Sequence, residues 1–266
     1  LYYPFIQNII NSFQHIKYMG TAADKWNAPF YKNYLEIFKD PKMLIALKNT
    51  GIMIIATIVG EVGLAIVLSL LVSNIKKGAG FFRVVYFFPI VISATALGLL
   101  FNLVFLYDKG MINQLLQLIG VLDAGKNELI DWKATHPMFT MLVPVIWQYV
   151  GFYFIILLTG LSGIPEDLYE AAEIDGASKL QQVRYVTLPL LRNSICTCVV
   201  LAVTGALKVF DLPWTMFVNG MSNTWLTGTY MYSKVYVDVD YSSAIAVVIV
   251  IIMMYRREKR HEEEKF

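Results

Sequence analysis

Polar and apolar positions alternate along this chain in long blocks. A helix needs about 20 apolar residues to cross about 30 Å of hydrocarbon, and four runs reach that length: Thr50 to Ser73, Val84 to Leu106, Met138 to Leu161, and Leu190 to Phe210. Two further runs are shorter. Leu1 to Phe13 reads as the outer end of a span whose beginning is missing, and Ser243 to Met254 stops before Tyr255, Arg256 and Arg257. The pattern predicts an all-α membrane protein, a polytopic helical bundle of about six spans with the first and last incompletely represented. It is expected to form a single transmembrane domain over residues 1–266.

One polar insertion, at about 162–189, interrupts the apolar pattern between the third and fourth long runs. Pro165 suits a first helical position, and Glu166, Asp167 and Glu170 place negative charge in the opening turns, where the helix dipole favours it. Gly176 supplies a stop. Ser178 followed by Gln181 reads as a capping box for a second helix, which Pro189 is expected to limit, since the residue before proline avoids the helical region. Glu166, Glu170 and Glu173 share one face of the first helix, and Ala171 and Ala172 keep it narrow. Charge spacing alone fits a solvated acidic face on an ordinary cytoplasmic loop. It also fits insertion into a basic cleft.

The string Glu170-Ala171-Ala172, then Asp175-Gly176-Ala177, then Leu188-Pro189 resembles the cytoplasmic EAA loop of permease subunits of ATP-binding-cassette importers. Similarity to the sugar-importer branch, that of the larger maltose- and glycerol-phosphate-type permeases, extends over nearly the whole chain. It includes ALKNT at Ala46 to Thr50, GFFRVVYFFPIVIS at Gly80 to Ser93, FDLPW at Phe210 to Trp214 and YSSAIAVV at Tyr241 to Val248. Val183 stands where that branch usually has an aromatic residue, and Asn193 where it has proline. The resemblance implies a fold of the importer-permease type and a non-catalytic half of a translocation path for sugars or oligosaccharides. It implies a second, non-identical permease, a dimer of ATPase subunits that carries the ATP and Mg, and an extracellular solute-binding protein. Residues Glu170, Ala171, Ala172, Asp175, Gly176, Ala177, Leu188 and Pro189 would couple the chain to the ATPase.

Composition agrees with a lipid setting: 57% of residues are hydrophobic, 16% are charged, and the mean hydropathy is +0.55. If spans alternate, Lys76, Lys77 and Arg83, the loop's Lys179, Arg184 and Arg192, and the tail's Arg256, Arg257, Lys259 and Arg260 fall on one side. The positive-inside rule makes that side cytoplasmic, in a multi-pass protein of a bacterial-type plasma membrane. The connections Gln14 to Lys48, Tyr107 to His136 and Asp211 to Asp240 then face outward. The net charge of +2 reflects this topology, and no basic patch with interleaved aromatics calls for nucleic acid. Attraction of the Arg-rich tail to the membrane surface gives the same orientation.

No catalytic residue is assigned. His15, His136 and His261 lack metal-ligand spacing, so no metal site is expected, and no glycine-rich loop ends in Gly-Lys-Ser or Gly-Lys-Thr to cradle nucleotide phosphates. Cys196 and Cys198 read as small packing residues on different faces. Trp147, Gln148 and Tyr149 lie mid-span, away from the headgroups where interfacial aromatics collect. A sugar path needs flat apolar faces and a few hydrogen-bonding groups, which Trp147, Gln148 and Tyr153 supply; interhelical packing accounts for them equally well. Asn102, Lys208 and Asp211 sit toward outer span ends, where they fit a vestibule but fit snorkelling and helix-end roles better. Glu61 is the one carboxylate deep in a span, and its cost there demands an interior partner. It motivates one rival reading, an ion-coupled secondary transporter. A membrane scaffold that docks a cytoplasmic enzyme through the acidic loop is another.

Overall fold

The computed structural model describes residues 2–73, 75, 78–122, 128–217 and 223–263, with the side chains of 79, 253 and 255–263 excepted. Lys76 and Lys77, and the side chains of Arg256, Arg257, Lys259, Arg260 and His261, lie outside what is described. In chain order come α1 (Tyr2–Asn11), β1 (Gln14–His15), β2 (Lys25–Trp26), α2 (Lys32–Ile37), α3 (Pro41–Thr57), α4 (Leu64–Ser73), α5 (Ala79–Val91), α6 (Ala94–Val104), α7 (Met111–Leu118) and α8 (Trp132–Thr135). Then follow α9 (Pro137–Ser162), α10 (Glu166–Ile174), α11 (Lys179–Gln182), α12 (Leu188–Leu190), α13 (Arg192–Lys208), α14 (Asp211–Met216), α15 (Thr227–Lys234) and α16 (Val239–Glu263). The described fold is all-α but for the two-residue antiparallel ribbon of β1 and β2.

Among the described residues three helices are long and apolar enough to cross a membrane: Pro41–Ser73, Pro137–Ser162 and Arg192–Met216. A shorter apolar helix, Val239–Ile252, begins α16. The apolar run expected from Val84 to Leu106 is helical but bent: α5 and α6 meet at 95°. Pro89 cannot donate the hydrogen bond its position owes, α5 ends two residues later, and Ile92 turns extended with ψ 134°. Ser93 then caps α6, its hydroxyl accepting from the Ala96 N–H at 3.2 Å.

The helices form two compact units. In the first, Leu1–Ile52 with Leu207–Phe266, α1, α2 and α15 pack on α16 around Ile37, Met43, Trp225, Tyr230 and Ile245. The ALKNT string acquires a physical reason here. The Asn49 amide donates to the carbonyls of Asn223 and Trp225 at 2.9 and 3.0 Å, and the Thr50 hydroxyl accepts from the Thr227 N–H at 3.0 Å. Together they satisfy backbone that no regular element serves. Asp40 does similar work at the start of α3: Oδ1 accepts from the Lys42 N–H at 2.9 Å, while Oδ2 accepts from the hydroxyls of Tyr230 and Tyr241.

In the second unit, Met53–Ala206, α9 is the central element, with α4, α5, α6 and α8 against it. Its core includes Val62, Ala65, Phe154, Leu157, Leu191 and Cys198. Cys196 is exposed, so only Cys198 packs as both were expected to. A Cβ on Gly151 would lie 1.7 Å from the Tyr86 carbonyl oxygen, so the contact of α5 with α9 requires glycine there. Buried Asn113 anchors the connection from α6 to α9: its amide donates to the Tyr107 and Ile130 carbonyls, and its oxygen accepts from Trp132 Nε1 at 2.9 Å.

Candidate functional site

The turn inside the loop is a local construction. Asp175 ends α10, and Gly176 takes φ +81°, the left-handed region that only glycine enters cheaply. The Gly176 N–H then donates to the Glu173 carbonyl at 3.0 Å, and the Ala177 N–H to the Ala172 carbonyl at 2.9 Å. This pair of reversed bonds is a Schellman motif. It joins the two halves of the sequence signature: Ala172 and Asp175-Gly176-Ala177 belong to one hydrogen-bonded turn. The chain leaves through the capping box, with the Ser178 N–H donating to Gln181 Oε1 at 2.7 Å and the Gln181 N–H to Ser178 Oγ at 3.4 Å.

Two expectations need correction. Pro165 is the cap residue itself, and α10 starts at Glu166. Pro189 does not end the second helix. Residues Val183–Thr187 form a wide π-turn, and helix resumes through Leu188–Leu190 with the Leu188 N–H reaching back to the Val183 carbonyl. A π-turn changes which carbonyls are called upon, so a proline lacking its N–H is accommodated at Pro189. The departure at Val183 coincides with the first residue of that turn. The Tyr169 and Thr187 hydroxyls, 3.1 Å apart, tie α10 to this second helical segment.

Glu166, Glu170, Glu173 and Asp175 all stand exposed, with Ala171 and Pro189. Ala172, Ala177 and Leu188 are half-buried. Lys179 Nζ lies 3.8 Å from the Glu173 carboxylate. Sequence reasoning missed the apolar side of this surface: Ile174 and Leu180 are 86% and 80% exposed, and Leu168 and Tyr185 project as well. Their signal was available, since large apolar residues beside a turn in an otherwise polar insertion need a cover.

The intramembrane candidates divide by surroundings. Trp147 on α9 is 41% exposed, and the Phe101 ring of α6 meets it edge-on at 5.8 Å and 64°. Gln148, next to it, is buried and donates from Nε2 to the Ile92 carbonyl at 3.2 Å. Tyr153 is buried in the core of the second unit, and its hydroxyl meets the carboxyl of Glu61, which is only 2% exposed. Glu61 reaches it from a π-turn over Ile58–Gly63, where Gly60 leaves room for the Ile146 side chain. The structure thus brings together two residues the sequence placed in different roles. Asn102 is half-buried on α6. Lys208 and Asp211 belong to the other unit, exposed at the end of α13 and the start of α14.

Comparison with known proteins agrees with this architecture. Residues 62–255 match the family described as binding-protein-dependent transport system inner membrane component. The chain is 34% identical over 220 residues to the probable ABC transporter permease protein YurN of Bacillus subtilis, covering 81% of this chain and 75% of that one. It is 31% identical over 255 residues to the arabinooligosaccharides transport system permease protein AraP of Halalkalibacterium halodurans, covering 92% and 77%. Among solved structures, a bacterial ABC transporter that imports the acidic polysaccharide alginate superposes with a TM-score of 0.79 over 98% of this chain and 90% of that one. At 21% identity that likeness concerns the fold. By the extent of the family match and the identity to its relatives, this multi-pass chain belongs to the inner membrane permease components of binding-protein-dependent ABC transport systems.

Proposed function

We propose that the chain is one of two non-identical permeases in an ATP-driven importer of sugars or oligosaccharides, in a bacterial-type plasma membrane. It supplies half of the translocation path and no catalytic group. ATP and Mg are bound and hydrolysed on a separate pair of ATPase subunits, and an extracellular solute-binding protein delivers the sugar. The observation that carries this reading is the exposed helix α10 with its Schellman turn, an acidic and apolar projection suited to a cleft on a partner. Relatives named for arabinooligosaccharide, diacetylchitobiose and lactose transport support the substrate class.

The mechanism is alternating access. ATP closes the ATPase dimer, the docked loop moves with it, and the paired permeases open outward to receive sugar. Within the path, Trp147 offers the exposed aromatic face, and ring C–H groups of a sugar stack on such faces. The test is reconstitution of the chain with its genomic neighbours. Copurification with a second permease and an ATPase, together with ATP-dependent uptake of labelled oligosaccharide, is the expected result. A chain that transports sugar alone, without ATP, overturns the reading. In the working complex, Trp147→Ala should raise the apparent KM for sugar roughly three- to tenfold at unchanged complex yield. Equal loss of yield and uptake would assign Trp147 to packing.

A further inference from the structure

The corner between α5 and α6 lies inside an apolar segment, where a backbone carbonyl freed from a helix has no water to turn to. The Ile92 carbonyl is such a group: Ile92 is the extended cap residue just past the end of α5. Its partner is the Gln148 amide at 3.2 Å, on a side chain only 4% exposed. Gly151, three residues further along α9, lets α5 close against that helix at the Tyr86 carbonyl. Gln148 and Gly151 thus form one device on one face of α9: the glycine brings α5 near, and the amide then reaches the corner. Beyond the corner, α6 carries Phe101 onto the exposed Trp147.

We infer that Gln148 is a positioning residue for transport, which holds the α5–α6 corner through the Ile92 carbonyl and so fixes α6, with Phe101, beside Trp147. It acts on the orientation of α6 and does not touch the sugar. The inference rests on the permease reading, and its test separates the two. Gln148→Leu keeps a side chain of similar size but leaves the carbonyl without a donor. Ser93→Ala loosens the same corner from the α6 side, since Ser93 caps that helix.

Both variants are to be prepared in the assembled complex and measured by hydrogen exchange and by uptake kinetics. The expected result is exchange faster by roughly five- to tenfold in peptides covering 92–104, with α9 unchanged, since one buried hydrogen bond is lost. Maximal uptake should fall by a similar factor while the apparent KM stays within about twofold. An unchanged exchange pattern with a raised KM would make Gln148 a sugar contact and overturn the inference. So would faster exchange throughout 137–162 with loss of complex, which marks general packing, or no change in either measurement. If the parental complex shows no ATP-dependent uptake, the permease reading fails, and the exchange pattern still decides whether Gln148 holds the corner.

Discussion

Around Gly176 the chain closes its turn with hydrogen bonds between near neighbours, whereas around Ser93 it bends by 95° and one carbonyl depends on a side chain 56 residues away. The first turn faces water and uses glycine, a Schellman pair and a capping box. The second lies among apolar residues and uses proline, a serine cap and the Gln148 amide. Water can serve as a partner for a solvated turn at any stage of folding, so local devices suffice there. In lipid an unserved carbonyl costs several kcal/mol, so the corner must recruit a neighbouring helix. The loop turn is therefore held by its own local bonds, as the proposed lever needs, while the corner is only as firm as its contact with α9.

The largest expected effect lies on the lever. Glu170 is exposed on the acidic face, and reversing its charge to Lys sets like charges against a basic cleft in the proposed ATPase partner. A charge-assisted hydrogen bond is worth about 1.5–3 kcal/mol net, so Glu170→Lys should lower sugar uptake by roughly tenfold or more. Stimulation of ATPase activity by the binding protein should vanish, and assembly should suffer less. Uptake at the parental rate would reduce the loop to a solvated connection.

Next comes the turn that holds the lever in shape. A Cβ at Gly176 would meet nothing within 4 Å, so substitution there tests backbone conformation alone. A β-branched residue at φ +81° costs about 1–2 kcal/mol. Gly176→Val should reduce uptake several-fold with little loss of complex, and Gly176→Asn should do less harm because asparagine tolerates the left-handed region. Equal behaviour of the two variants would show that the turn does not transmit force.

How much of the contrast was readable beforehand follows from where each partner sits. Gly176, Ser178 and Gln181 are near neighbours, and their pattern led directly to the helix-turn-helix. Pro89 and Ser93 were equally visible, yet an apolar run of span length overrode them, because the group that makes a break tolerable is Gln148, and nothing in the spacing couples it to Ile92. Asn49 and Asn113 were missed for the same reason: each serves carbonyls of irregular segments distant in sequence. The π-turns at Ile58–Gly63 and Val183–Thr187 have no simple residue signature, and they moved both the reach of Glu61 and the role of Pro189.

A smaller effect is expected at Asp40, which combines both strategies by capping α3 locally and binding two distant tyrosines. Burial alone would raise its pKa, but hydrogen bonds from Tyr230, the Lys42 N–H, Tyr241 and the Met43 N–H outweigh that and hold it below the usual carboxylate range. A carboxylate with a depressed folded-state pKa contributes stability that is fully present above its unfolded value. That stability is lost as pH falls through the folded one. Thermal stability of the parent should therefore decline from about pH 5 downward more steeply than that of Asp40→Asn. Parallel curves would remove Asp40 from the account.

The smallest expected effect is at Glu61, where the comparison is sharpest. Like Gln148, it is a buried polar group inside a span, but its partner is another side chain, the Tyr153 hydroxyl, and it holds no helix break together. Glu61→Gln retains an acceptor for that hydroxyl and nearly the same volume. Uptake should stay within about twofold of the parent and show no dependence on a proton or sodium gradient. Loss of uptake in Gln, with gradient-dependent uptake in the parent, would reverse the contrast: Glu61 would then be the moving part and Gln148 a static one. If instead only Gln148→Leu disturbs transport, the buried polar groups that matter for motion in this bundle are those that serve backbone at a break.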